Sequence, residues 1–145
     1  TPFLGRIGKW AIVLGVTSNP GAEDIQFQRT ETGARLYETV IKRTASWGTK
    51  EELMFVVGAT RPEILAEVRA IAPDHFFLVP GVGAQGGDLD AVLQAGMTND
   101  GGLLINSSRG VLYAGKGEEA IPAARRAAMA LQQAMEIALR KQGMR

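Results

Sequence analysis

The chain has no cysteine and a single histidine, His75. Disulfides, thiolate-ligated metals and multi-histidine metal centres are therefore excluded. Charge of one sign is lacking too: 16 basic residues face 15 acidic ones. A net charge of +1 gives no field for nucleic acid or an anionic membrane surface. No apolar run approaches the roughly 18 residues that a membrane-spanning helix needs, and no signal peptide is recognisable. A cytoplasmic location is the expectation left standing.

What is present argues for a globular protein. Apolar residues make up 46% of the chain and charged ones 21%. A length of 145 residues suits one ordinary domain with a real core. The opening Thr1, without an initiator methionine, fits a segment of a longer protein and equally a processed terminus.

Four apolar runs read as strands: Ala11 to Val16, Leu53 to Val57, Phe76 to Val79 and Leu103 to Ile105. They are nearly continuous rather than alternating, as in strands of a parallel sheet covered on both faces. Helical patterns separate them. Tyr37, Val40, Ile41 and Ala45 share one face of the first. The second takes Thr60 as N-cap, Pro62 in its first turn and Glu63 closing a capping box, with Ile64, Leu65, Val68 and Ile71 inward. A third begins near Asp88, uses Leu89, Val92 and Leu93, and stops at Gly96. The last is long, with Ile121, Ala124, Ala128, Leu131, Met135 and Ala138 as its expected inner face.

A strand-loop-helix unit repeated four times implies a parallel sheet with right-handed crossovers. Either a small open doubly wound sheet or half of an eight-stranded barrel satisfies it. In both, ligands bind beyond the carboxyl ends of the strands. The loops "TSNPGAED", "GATRPE", "PGVGAQGGD" and "NSSRG" all fall there.

In "PGVGAQGGD", Pro80 ends a strand, and Gly81, Gly83, Gly86 and Gly87 permit positive φ and close approach. Backbone N–H groups of such a loop suit an anion. The G-x-G-x-x-G spacing is met numerically, but no acid ends a following strand some 20 residues on, so a dinucleotide fingerprint is set aside. A plain connecting loop and a phosphate cradle both fit the glycines. Arg109, in the loop after the next strand, favours the cradle, because backbone donors beside a guanidinium make a phosphate clamp. Thr17, Ser18 and Asn19 read equally as a local turn. Glu23 and Asp24 read as solvated, His75 as a surface or helix-terminal residue, and Arg125 and Arg126 as a wet helix face. Trp10 and Trp47 read as packing anchors.

In order and spacing, "VTSNPGAEDIQ", "VVGATRPE", "FLVPGVGAQGGDLD" and "INSSRGVLYA" closely resemble the second half of the orotidine 5′-phosphate decarboxylase family, most of all its longer-chain bacterial subgroup. The likeness covers nearly the whole sequence. It implies that residues 1–145 are the C-terminal half of one (β/α)₈ TIM barrel, supplying strands five to eight with their helices. By resemblance, Ser18 hydrogen-bonds the pyrimidine, Pro80 lines the wall near the base, and Gln85 reaches the phosphate and the pyrimidine from a loop that closes over substrate. Arg109 binds the phosphate with the backbone of Gly110 and of Gly87. The implied partners are orotidine 5′-phosphate and UMP, the missing N-terminal half of the barrel, and a second copy in a homodimer. No cofactor or metal is implied.

The chain departs from the family where the chemistry lies. The family's lysine and aspartates stand in a D-x-K-x-x-D arrangement, and here none of the five aspartates has lysine two positions on. The lysine that would protonate the carbon losing CO₂ is absent, so no catalytic residue is expected in this chain and the isolated half is expected to be inactive. The other readings are a non-enzymatic phosphate-ligand half-barrel, an engineered scaffold, or a decarboxylase of a sugar acid phosphate.

Overall fold

The computed structural model describes residues 11–13, 23–83 and 85–144. Strands β1 (Ala11–Val13), β2 (Leu53–Val56), β3 (Phe76–Pro80) and β4 (Leu103–Asn106) form one four-stranded sheet. All three pairings are parallel and the strand order is sequential, 1-2-3-4. A doubly wound sheet reverses its order at a switch point. A barrel does not, so this is the arrangement of half of an eight-stranded (β/α) barrel.

Helices α1 (Glu23–Gln26), α2 (Leu36–Ala45), α3 (Pro62–Ile71), α4 (Leu89–Gly96), α5 (Ser108–Leu112) and α6 (Ala120–Lys141) connect and follow the strands. The core lies between one face of the sheet and α2 to α4. Phe55, Phe77 and Val79 meet Tyr37, Ile41, Ile64, Leu65, Val68 and Val92 there, all buried. Fully burying a side chain of this size stabilises the fold by roughly 1.5–3 kcal/mol. The Tyr37 hydroxyl hydrogen-bonds the Glu67 carboxylate, and Arg35 Nη1 lies 2.7 Å from Glu67, tying α2 to α3. Burial pushes the Tyr37 phenol up to about 12.

The opposite face of the sheet is less covered than the near-continuous apolar strands suggest. Register aligns Ile12 with Met54 and Phe76, and Val56 with Leu78 and Leu104. Ile12 is 50% and Leu104 52% exposed. The strands are thus apolar on both faces, but one face is packed while the other ranges from buried Val56 to half-exposed Ile12 and Leu104.

Several local expectations are corrected. The N-cap of α3 is Arg61 rather than Thr60, and no side chain closes it. Pro62 disfavours helical geometry in the residue before it, so the helix starts at the proline and Arg61 stays outside with φ −136° and ψ 81°. Ile121 is 83% exposed, not inward. The phase of α6 is set by buried Ala123, whose Cβ would come within 2.6 Å of a Cβ at Gly115. Ile121, two residues away, then points to the other side. Trp47 is 51% exposed, too open for the core anchor expected, while Trp10 lies outside the described residues. By contrast, α4 runs as expected, with Asp88 as N-cap accepting from the Ala91 N–H at 3.0 Å.

Candidate functional site

The cleft of interest opens at the carboxyl ends of β3 and β4. Their register pairs Pro80 with Asn106, so the segments that follow leave the sheet side by side. Between them lies a cleft of ≈ 120 Å³ lined by Pro80, Gln85, Asn106, Ser107, Ser108 and Arg109, together with the backbone at 81–82. Sites for whole small-molecule ligands usually occupy about 300–1,000 Å³. This cleft is the size of one group of a ligand, such as a phosphate.

The glycines shape it in two ways. Gly81, Gly83 and Gly86 take φ of 99°, 75° and 84°, a region that side chains disfavour. Gly87 has no such φ; it is small because of its surroundings. A Cβ there would lie 2.6 Å from the Cβ of Ala59 and 2.7 Å from the Gly81 carbonyl oxygen. The loop also closes upon itself. Gly83 N–H donates to Gly87 O at 2.9 Å, Gly86 N–H to Gly83 O at 2.8 Å, and Gly87 N–H to Gly81 O at 3.1 Å. Those donors serve the loop, so the polar side chains are what the cleft presents. Gln85 turns back over Gly81, its Oε1 3.0 Å from where a Cβ on Gly81 would stand.

Across the cleft, "NSSRG" is not a plain loop. Ser108, Arg109 and Gly110 open the short helix α5, where the first N–H groups of a helix lack intrahelical acceptors. A five-residue stretch containing glycine gives no periodicity to read, which is why α5 escaped the sequence. Gly110 leaves room for its neighbour: a Cβ there would lie 2.7 Å from Ser107 Oγ. Ser107 Oγ in turn donates to Val82 O at 3.1 Å, joining the two walls. Ser108 Oγ donates to Asn106 Oδ1 at 3.1 Å.

No acidic side chain lines the cleft, and Arg109 has no ion-pair partner among the described residues. Its single positive charge is uncompensated, which favours an anion. Pro80, Gln85 and Arg109 are thus brought together, while Gly87 and Gly110 support the walls from behind. Ser18 lies outside the described residues. Lys42, Lys50, Lys116 and Lys141 are exposed and line no part of the cleft. Among the described residues no group of histidines or carboxylates could hold a metal ion, and no helix is long and apolar enough to cross a membrane.

His75 is not the surface group expected. Both ring nitrogens are buried without hydrogen-bond partners, and the ring packs 5.3 Å from that of Phe55. It precedes β3, at the end of the sheet away from the cleft.

A sequential parallel sheet with its cleft at the carboxyl ends places the protein in the (β/α)-barrel class. The chain belongs to the orotidine 5′-phosphate decarboxylase / HUMPS family, whose model matches residues 6–124. It is 47% identical over 135 residues to an orotidine 5′-phosphate decarboxylase of Bacteroides fragilis, covering 93% of this chain and 49% of that protein. To the Porphyromonas gingivalis protein of the same name it is 46% identical over 144 residues, covering 99% of this chain and 52% of the other. The chain thus spans about half the length of the curated relatives it matches. Among solved structures, Leishmania donovani OMP decarboxylase superposes with a TM-score of 0.75 at 38% identity, covering 89% of this chain and 48% of that one. Leishmania donovani UMP synthase gives 0.77 at 43% identity, covering 89% and 28% respectively.

Proposed function

We propose that this chain is the phosphate- and pyrimidine-binding half of an orotidine 5′-phosphate decarboxylase, the whole protein converting orotidine 5′-phosphate to UMP and CO₂. The observation that carries the reading is the cleft itself. Arg109, without an ion-pair partner among the described residues, faces Gln85 across a cleft lined by no carboxylate, on a chain of the decarboxylase family. In this reading Arg109 takes the substrate phosphate with the backbone of Gly110 assisting, while Gly87, whose N–H is bonded to Gly81 O, serves by letting the loop close tightly. Gln85 spans from phosphate to base, Pro80 forms the apolar wall, and Ser18 addresses the pyrimidine. None of these groups touches the bond that breaks. Loss of CO₂ leaves an electron pair on carbon, which the family's lysine would stabilise and protonate. This chain contributes binding energy remote from the reacting centre, which an enzyme uses to favour the transition state.

The less covered face of the sheet fits the same reading, since an N-terminal half carrying the D-x-K-x-x-D motif would complete the barrel over it. The domain boundary and the homodimer belong to this proposal and rest on the family likeness; the cytoplasmic location belongs to it too, as the expectation that composition leaves standing. The test is reconstitution. The chain alone is expected to show no decarboxylation of orotidine 5′-phosphate, and turnover is expected once an N-terminal half bearing the motif is joined to it. Turnover by the chain alone, or none after joining two folded halves, overturns the assignment.

The small volume of the cleft favours one other reading, a half-barrel that binds phosphate ligands without chemistry. It predicts equal affinity for inorganic phosphate and for UMP, whereas the decarboxylase reading predicts a preference for UMP in the joined protein.

A further inference from the structure

We infer that Ser107 is a positioning residue that holds the Gln85 loop in register with Arg109. The inference rests on the reading of the cleft as the phosphate site. Ser107 immediately precedes α5, whose second residue is Arg109, and its Oγ donates to Val82 O at 3.1 Å across 25 residues of sequence. Val82 is buried and opens the turn that carries Gln85. Val82 also bridges to Gly87, so the anchored point lies on the closed end of the glycine loop rather than on its tip. This is the one side-chain hydrogen bond joining the two walls among the described residues.

The surroundings preserve that bond. The space beside Ser107 Oγ is kept open by Gly110, where a Cβ would lie 2.7 Å away, and Gly83 stands next to it at 3.8 Å by the same measure. Small residues on both walls thus leave the hydroxyl room to reach Val82 O. The backbone bonds that close the loop, from Gly83, Gly86 and Gly87, are all internal to it and fix its shape, not its placement. The Pro80–Asn106 pairing sets the two segments side by side at their roots, and beyond it placement against Arg109 falls to Ser107. A ligand held by Arg109 on one wall and by Gln85 on the other then depends on a group that need not touch it.

The experiment uses the joined, full-length protein, with UMP affinity measured by calorimetry and amide exchange of the loop measured without ligand. Ser107→Ala is expected to weaken UMP about five- to tenfold, the size of one hydrogen bond. Combined with Gln85→Ala it should add little further, because both act through one loop. Amides of Gly83 and Gly87 should exchange faster in Ser107→Ala while Val79 in the core is unchanged, and Ser107→Thr, which keeps the hydroxyl, should restore slow exchange. Wild-type UMP affinity in Ser107→Ala, or full additivity with Gln85→Ala, overturns the inference. So does faster exchange throughout the core or loss of the fold, since the hydroxyl would then serve the whole domain. Arg109→Ala separates the two levels. If it weakens UMP and Ser107→Ala does not, positioning alone fails; if Arg109→Ala also leaves UMP affinity unchanged, the phosphate reading falls and this inference with it.

Discussion

The guanidinium carbon of Arg69 sits 3.7 Å from the centre of the Phe77 ring. From there Arg69 donates to five carbonyls: Gly96 and Gly102 at 2.9 Å each, Ala72 at 3.1 Å, Pro73 at 3.2 Å and His75 at 2.6 Å. One residue of α3 thereby ties down the segments that lead into β3 and β4, the two strands that carry the cleft at their other ends. Burial pushes its guanidinium down to about 10, with Asp74 opposing, so it stays charged at neutral pH.

Arg69→Met keeps the apolar stem but strands carbonyls that only a fork-shaped donor reaches. A loss of about 3 kcal/mol is expected, since hydrogen bonds from a charged group contribute roughly 1.5–3 kcal/mol and such losses are not additive. Arg69→Lys should recover less than half of it. Urea unfolding measures both; a loss below about 1 kcal/mol in Arg69→Met would show that water replaces these bonds.

His75 supplies a pH dependence. Burial lowers its pKa below the ordinary 6.5; nearby Asp74 and Glu51 oppose this, and Arg69 and Lys50 add to it. Between the folded and ordinary values the unfolded chain binds the proton and the folded one does not. Stability therefore rises with pH across that window and is lost as pH falls below about 6.5. Thermal melts at pH 7.5 and 5.5 should show the drop, and His75→Phe, filling the same place beside Phe55, should reduce it. An equal drop in the variant assigns the effect to carboxylates instead.

Two glycines of the same loop should respond differently to alanine. At Gly87 the new methyl meets Ala59 and the Gly81 carbonyl below 3 Å, so backbone must move, at a cost of about 1–3 kcal/mol. At Gly86 nothing lies within 4 Å and only the φ of 84° resists, which costs about 1 kcal/mol. Chemical denaturation is expected to rank Gly87→Ala as the more damaging. The reverse order would mean that the loop yields more easily than the left-handed turn.

Arg109→Ala in the joined protein should weaken UMP by about 10- to 100-fold, the range for a charge-assisted hydrogen bond of roughly 1.5–3 kcal/mol. Stability should hardly change, because Arg109 is exposed and holds no ion pair among the described residues. Calorimetry beside a thermal melt tests both halves of the statement.

The legible and the hidden features separate along one line. Apolar runs spaced by helical periodicity announced four parallel strands, because burial in such a sheet writes itself into consecutive residues. The neighbouring placement of "PGVGAQGGD" and "NSSRG" followed, since loops after adjacent strands leave the same edge. Contacts between ordinary residues far apart in sequence carried no such signal. Nothing in serine at 107 or arginine at 69 marks the former as a clamp on Val82 or the latter as a donor to five carbonyls. His75 looked superficial because polarity was read without its neighbour Phe55, and Ile121 looked buried because periodicity gives a stripe but not its partner.

Composition, periodicity and local motifs thus determined the repeating fold, the edge that holds the cleft and the absence of the D-x-K-x-x-D motif from this chain. Tertiary packing alone decided which sheet face is covered, which glycines are small for space and which for φ, and what binds the two cleft walls together. Periodicity is a property of neighbours along the chain, whereas packing depends on residues that meet only after the chain has folded.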